Sequence, residues 1–201
     1  LELAACTTSV GRSRIDDADN GVKKWAEAKG YPEPEVVYGD TDSVFVKFSR
    51  KDKNGKLLEG KEALKHCIQC GIEAGDYITK GELKLEDKIV YHTPLLHSPQ
   101  DLEYEKTFWP FILISKKRYT GDKYELEPEN PKRTAMGIVL KRRDNADIVK
   151  HVYGGVIKIL MNQKNLQLSI DFLRGELKKL LDGKFPLEML IITKSLRGYY
   201  K

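Results

Sequence analysis

The sequence predicts an α+β fold in which an antiparallel sheet with packed helices gives way to a mainly helical C-terminal part. Three observations carry this expectation. Strand-like runs lie before residue 140 and begin with two strands only a few residues apart, which forces antiparallel pairing. A segment between them repeats apolar residues at helical spacing, and from Asp144 onward helical spacing alone remains.

Arg14 to Lys29 mixes Ala, Lys, Asp and Trp25 in a helical pattern that Gly30, Pro32 and Pro34 stop. Val36–Tyr38 and Ser43–Phe48 read as a strand pair, the second alternating through Val44, Val46 and Phe48, with Gly39-Asp40-Thr41-Asp42 at the bend. Asn54-Gly55 signals a turn, after which Leu64, Ile68, Ile72, Gly75 and Ile78 outline an amphipathic helix. Leu102–Lys106 and Phe111–Ser115 read as strands, the second apolar enough to be central in a sheet. Pro128 and Pro131 mark a loop over Glu127–Arg133, and Gly137–Leu140 reads as a last short strand. Ile148, Val152, Val156, Ile159 and Leu160, then Ile170, Leu173, Leu177 and Leu181, give two helices separated near Asn162–Leu166. A domain boundary is expected near residue 140, and no repeat or low-complexity segment occurs.

Length and composition fit a globular chain able to bury a core: 201 residues, 40% hydrophobic and 32% charged. The net charge of +5 is too mild to define a partner by itself. Its distribution says more, because Lys116, Lys117 and Arg118 form one acid-free cationic cluster and Lys141, Arg142 and Arg143 another. Phosphate neutralisation asks for such clusters, and a solvated face has the same look. Three cysteines fit a reducing compartment rather than a disulfide framework, and no apolar run approaches the roughly 20 residues of a membrane span, so a soluble protein is expected. No targeting signal is read, and a first residue of Leu rather than Met suggests a piece of a longer chain.

Tyr38-Gly39-Asp40-Thr41-Asp42-Ser43 places two carboxylates at i and i+2, which in extended backbone project to one side. Acids held so close repel unless a divalent cation offsets their charge, and hard oxygen donors suit Mg²⁺. Gly39 fits a tight bend with the acids at its tip, so the group suits metal-assisted phosphoryl transfer. A hairpin turn in which Asp and Thr cap backbone amides uses the same residues. From the two acids alone, a sugar-nucleotide transferase with an Asp-x-Asp manganese site is also open. An EF-hand is excluded, since the sixth loop position is Phe45 rather than Gly and Val44 offers no ligand. Cys67-x-x-Cys70 lacks a second ligand pair for zinc and falls in the amphipathic helix, where burial is expected.

The six residues Tyr38–Ser43 resemble the C motif of family B DNA polymerases, whose palm hairpin has apolar strands like Val36-Val37 and Val44–Phe48 on either side. Ile114-Ser115-Lys116-Lys117-Arg118-Tyr119 resembles that family's Lys-Lys-Arg-Tyr motif, at a separation like that of delta polymerases and those of large DNA viruses. Thr7–Arg12 resembles the helix after the B motif, Leu102–Lys106 the strand before Lys-Lys-Arg-Tyr, and Gly137–Asn145 with Ile192-Thr193-Lys194 the thumb. The resemblance covers nearly the whole chain. It implies an antiparallel palm sheet with packed helices over residues 1–140 and the start of a mainly helical thumb over 141–201.

It further implies template-directed DNA synthesis, with two Mg²⁺ ions (Mn²⁺ able to substitute), dNTPs and primer-template DNA as ligands, and a processivity clamp as a further partner. Asp42 matches the direct metal ligand and Asp40 its less consistent companion. Thr41 lies in the vicinity of nucleotide and primer terminus, with Thr41 and Ser43 shaping the turn, while Glu105 and Glu103 are candidates for an additional metal. Lys116, Lys117, Arg118 and Tyr119 match the element that tracks new duplex, where Gly121 lets the backbone come close. Lys141, Arg142 and Arg143 match a thumb contact with the duplex backbone, Asp144 or Asn145 capping the next helix, and Lys194 and Arg197 are further phosphate candidates. The family's A and B motifs are not in this sequence, so the 201 residues alone are expected to be inactive. The competing reading is a non-catalytic duplex-binding module that kept the fold. An intracellular site, nuclear or at a cytoplasmic viral replication centre, and a viral source are implied.

Overall fold

The computed structural model describes residues 2–141, 144–193 and 198. The α+β expectation holds: four α-helices accompany short antiparallel pairs and a three-stranded sheet. By its contacts the described chain parts into two compact units. The first comprises the residues up to Trp109 with Lys123–Lys132, the second Pro110–Asp122 with those from Arg133 onward. Within the second unit Ile112, Ala135 and Leu140 share a hydrophobic cluster with Ile138, Ile157 and Met161.

In the first unit, α1 (Glu2–Lys29) buries one stripe, Ala18, Val22, Trp25 and Ala26. It begins twelve residues before the helical pattern that starts at Arg14; residues 2–10 are all exposed, so no apolar periodicity marks them. α2 (Gly60–Lys80) ends at Gly81, which stands in the left-handed region and returns its N–H to the Asp76 carbonyl. It buries Ala63, Leu64, Ile68, Cys70, Ala74 and Ile78. The two helices meet in a cluster of Val22, Trp25, Ala26, Cys70, Ala74 and Ile78 with Leu96. Phe48 and Tyr31 close on Trp25, each with ring centroids 5.7 Å away. Beside this core Lys29 forms a largely buried ion pair with Glu73 at 2.5 Å and donates to the Lys84 carbonyl. Burial pushes the Cys70 thiol up to about 12 and raises Cys67 as well, as befits thiols serving as packing groups.

β1 (Glu35–Asp40) and β2 (Ser43–Lys47) form the expected antiparallel hairpin. The pair β3 (Glu82–Lys84) and β4 (Ile89–Tyr91) is among the strands that escape sequence reading, since three residues carry too little alternation and all of β4 is exposed; the strands over Arg118–Tyr124 and Lys132–Met136 escape it too. Leu102–Lys106 is extended but pairs with no strand, contrary to expectation. It runs along α2 instead: the Thr79 hydroxyl donates to the Leu102 carbonyl (3.0 Å) and accepts from the Leu102 N–H (2.8 Å). Gly71 and Gly75 make room, since a Cβ would lie 2.7 Å from the Tyr104 ring and 3.0 Å from the Leu102 oxygen respectively.

β5 (Thr107–Ser115), β6 (Arg118–Tyr124) and β7 (Lys132–Met136) form the three-stranded sheet in sequence order. The strand expected at Gly137–Leu140 is a bend followed by a 3₁₀ turn over Val139–Lys141, because Gly137 takes a left-handed φ of 61° that ends the extended run. α3 (Asp147–Gln163) and α4 (Leu166–Leu181) follow as expected, α4 capped by the Asn165 side chain accepting from the Leu168 N–H at 3.1 Å. α3 starts after Ala146 with no side-chain cap, so neither Asp144 nor Asn145 caps it; Asn145 donates to the Asp144 carboxylate instead. No described helix is long and apolar enough to cross a membrane.

Trp25 is 1% exposed, and its indole N–H has no hydrogen-bond partner. Trp25→Ala is expected to cost about 3–5 kcal/mol in urea unfolding. Trp25→Phe, which removes the unsatisfied N–H along with the smaller part of the ring system, should cost far less.

Candidate functional site

Two features stand out, one in each unit. The first is the tip of the β1–β2 hairpin. Its register pairs Glu35 with Lys47, Val36 with Val46, Tyr38 with Phe45, Gly39 with Val44 and Asp40 with Ser43, leaving Thr41 and Asp42 as a two-residue turn. The Asp42 N–H donates to the Asp40 carbonyl at 2.5 Å across Thr41, whose φ is +49°. The two acids therefore flank a reversal of the chain, and this turn, rather than the pleat of an extended strand, sets how their carboxylates stand. A left-handed φ is costly for a β-branched residue.

Side chains at the tip hold the turn. Thr41 Oγ1 donates to Asp40 Oδ1 (3.3 Å) and Ser43 Oγ donates to the Asp40 carbonyl (3.2 Å). Asp40 is half-buried and Asp42 exposed. Gly39 serves close approach rather than the bend: a Cβ there would lie 3.2 Å from Ile15 Cγ2 of α1. Tyr38 and Phe45 pack beneath the tip with centroids 5.3 Å apart, and Phe45 stacks on Phe108 at 6.2 Å.

Two carboxylates at an open tip fit the oxygen preference of Mg²⁺, which takes one or two protein carboxylates and completes its shell with water and substrate oxygens. Among the described residues no three His, Cys, Asp or Glu side chains gather to hold a metal ion. Glu103 and Glu105 are exposed on the extended run beside α2, Glu105 paired with Lys106 at 2.5 Å. The hairpin tip thus presents two carboxylates.

The second feature is the turn between β5 and β6. Lys116 and Lys117 are its two residues, Lys117 at a left-handed φ of +59°. Lys116, Lys117 and Arg118 are exposed, and the chain then goes inward: Tyr119 is 7% exposed, Thr120 and Gly121 are buried. Tyr119 packs against Phe111 with centroids 5.6 Å apart. Lys141 ends the 3₁₀ turn, while Arg142, Arg143, Lys194 and Arg197 lie outside the described residues. Sequence reasoning missed Gly137, whose position is tied to the cationic turn: a Cβ there would lie 2.1 Å from the Lys117 carbonyl oxygen.

Comparison with known proteins gives this geometry a context. The family model for DNA polymerase family B matches residues 1–98 and 68–201. The chain is 48% identical over 200 residues to the DNA polymerase of Pyramimonas orientalis virus, covering 100% of this chain and 15% of that protein. It is 38% identical over 167 residues to the DNA polymerase of Acanthamoeba polyphaga mimivirus, covering 83% of this chain and 9% of that protein. To the DNA polymerase delta catalytic subunit of Plasmodium falciparum it is 31% identical over 198 residues, 98% of this chain and 16% of the relative. The chain therefore spans between 9% and 16% of the length of these relatives. Matched from end to end and carrying Tyr38–Ser43 on one hairpin tip and Lys116–Tyr119 at the turn into the central strand of a sheet, the chain belongs to family B of the DNA polymerases.

Proposed function

We propose that the parent polypeptide is a DNA-directed DNA polymerase and that this chain supplies half of its metal-binding carboxylates together with a grip on the new duplex. The observation that carries the reading is the hairpin tip. Asp42 is exposed and Asp40 sits beside it across a tight turn, in a chain matched throughout to family B. Residues 1–140 serve as the C-terminal part of the palm and 141–201 as the start of the thumb. Asp42 is the direct ligand for Mg²⁺ and Asp40 its companion, with Glu105 and Glu103 candidates for an additional ion. The chemistry supplied by two bound divalent cations is to lower the pKa of the primer 3′ hydroxyl and to offset charge on the departing pyrophosphate of the dNTP.

What the chain's own residues do is hold and orient. Thr41, through its hydrogen bond to the Asp40 carboxylate, and Ser43, through its bond to the Asp40 carbonyl, hold Asp40 in place before substrate arrives. The exposed Lys116, Lys117 and Arg118 face phosphate or minor-groove acceptors. Those acceptors are nearly alike for every base pair, so a donor there tests pairing geometry without reading sequence. Tyr119, packed on Phe111, belongs to the same duplex-tracking element, and Gly121 lets the backbone come close to the DNA. Lys141, Arg142 and Arg143 add contacts to the duplex backbone. A processivity clamp is a further partner, and the site of action is a replication centre, nuclear or viral and cytoplasmic.

Two outcomes test this reading. In the full-length enzyme Asp42→Asn should lower primer extension in Mg²⁺ by about 10²–10³-fold, the worth of a preorganised charge at a reacting centre, while primer-template binding measured separately persists. Unchanged extension would refute the metal assignment and favour a duplex-binding module. The 201-residue chain alone, holding two of the required carboxylates, should incorporate no nucleotide on a primed template; any template-dependent product would show that the donor set is complete without the rest of the parent.

A further inference from the structure

The turn that carries Lys116 and Lys117 is anchored by residues outside the Lys-Lys-Arg-Tyr motif. Lys117 holds a left-handed φ of +59°, a conformation that persists in a non-glycine residue only where the surroundings over-determine it. Gly137 provides that surrounding. It follows β7 with φ +61°, and a Cβ built on it would meet the Lys117 carbonyl oxygen at 2.1 Å, the Lys117 carbonyl carbon at 3.2 Å and Arg118 Cγ at 3.4 Å. No side chain fits there, because the closest of these neighbours belong to the backbone and cannot swing aside.

Gly137 is itself fixed. The next residue, Ile138, is buried with Ile157 and Met161 of α3, so the backbone at 137 is tied to the core of its unit. A second tie lies one step inward, where the Thr120 hydroxyl, 1% exposed, donates to the Thr134 carbonyl at 2.9 Å and fastens β6 to β7.

We propose that Gly137 and Thr120 are positioning residues for the cationic turn: they set the height and direction of Lys116 and Lys117, and so the number of phosphates the turn neutralises. The proposal rests on the reading of that turn as a duplex contact. Gly137→Ala pushes the Lys117 carbonyl away, and Thr120→Val loosens β6 from β7 without altering either lysine.

The test measures binding of a primer-template duplex by the full-length polymerase across a range of salt concentrations, where each phosphate contact contributes about 0.9 to the slope of log K against log salt. Replacing both lysines, Lys116→Ala with Lys117→Ala, should flatten the slope by up to about 2 units. Gly137→Ala should flatten it in the same way with both lysines present, Thr120→Val should flatten it partially, and Gly137→Ala added to the lysine pair should flatten it no further. A merely structural role would leave the slope alone. If the lysine pair does not change the slope, the duplex reading fails and this proposal with it. If the lysine pair flattens the slope but Gly137→Ala and Thr120→Val keep the wild-type value, positioning is overturned and the duplex contact stands. Should Gly137→Ala not fold, as judged by thermal melting, Thr120→Val decides alone.

Discussion

The approach of α1 to α2 is the constraint on which the first unit depends. At Gly21 a Cβ would lie 2.6 Å from Ile78 Cγ1 and 2.9 Å from Leu95 Cδ1, so a side chain there would force the helices apart. Their closeness lets Val22, Trp25 and Ala26 interlock with Cys70, Ala74 and Ile78, and gives Val46 and Phe48 of the hairpin segment a wall to pack against. The hairpin tip inherits its place from this wall. Ile15, one turn before the buried stripe of α1, lies against Gly39, the residue before Asp40. α2 likewise offers Gly71, Gly75 and Thr79 to the extended run bearing Glu103 and Glu105. The position of four acids in this unit is thus a consequence of small residues on two helices.

Local chemistry made much of this legible. The hairpin was readable because Val44, Val46 and Phe48 alternate and a turn-forming Asp-Thr-Asp separates the strands, and α2, α3 and α4 because each repeats apolar residues at helical spacing. The misreadings share a cause. Leu102–Lys106 alternates as a strand would, and its alternation is real, but the surface it meets is a helix with two glycines, which no local pattern announces. Gly137–Leu140 reads as a strand from its apolar residues; instead, through a bend, Ile138 is buried with Ile157 and Met161 of α3 and half-buried Leu140 packs against them. At the candidate site the residue types were legible and their geometry was not. Asp40 and Asp42 are two apart, yet the chain reverses between them, and the spacing rule for extended backbone does not survive a left-handed Thr41.

Thr41 and Lys117 make one physical argument together. Two-residue hairpin turns favour Gly, Asn or Asp where φ is positive. Each hairpin tip of interest places another residue there, Thr at +49° and Lys at +59°, at a cost of about 1–3 kcal/mol apiece. A sequence selected for hairpin stability alone would use Gly. Thr41 instead contributes a hydroxyl that donates to Asp40, and Lys117 contributes a charge exposed at the hairpin turn. In both places the side chain kept is one that could act on a phosphate-rich ligand or on the carboxylate that does.

The same reasoning explains why the two tips differ in their supports. The acidic tip is held by hydrogen bonds from its own residues, Thr41 and Ser43, and by the packing of Gly39 on Ile15. These short-range bonds both end on Asp40, one on its carboxylate and one on its carbonyl, and so hold that residue within the turn. The basic tip has to keep its lysines clear of the sheet, so its support comes from behind: Gly137 under the Lys117 carbonyl, Thr120 bonded to Thr134, and Tyr119 packed on Phe111. An acid held from within its own turn would suit a metal-binding tip and a cationic turn braced from beneath would suit a phosphate-facing one, because only the first depends on a distance between two side chains of the same turn.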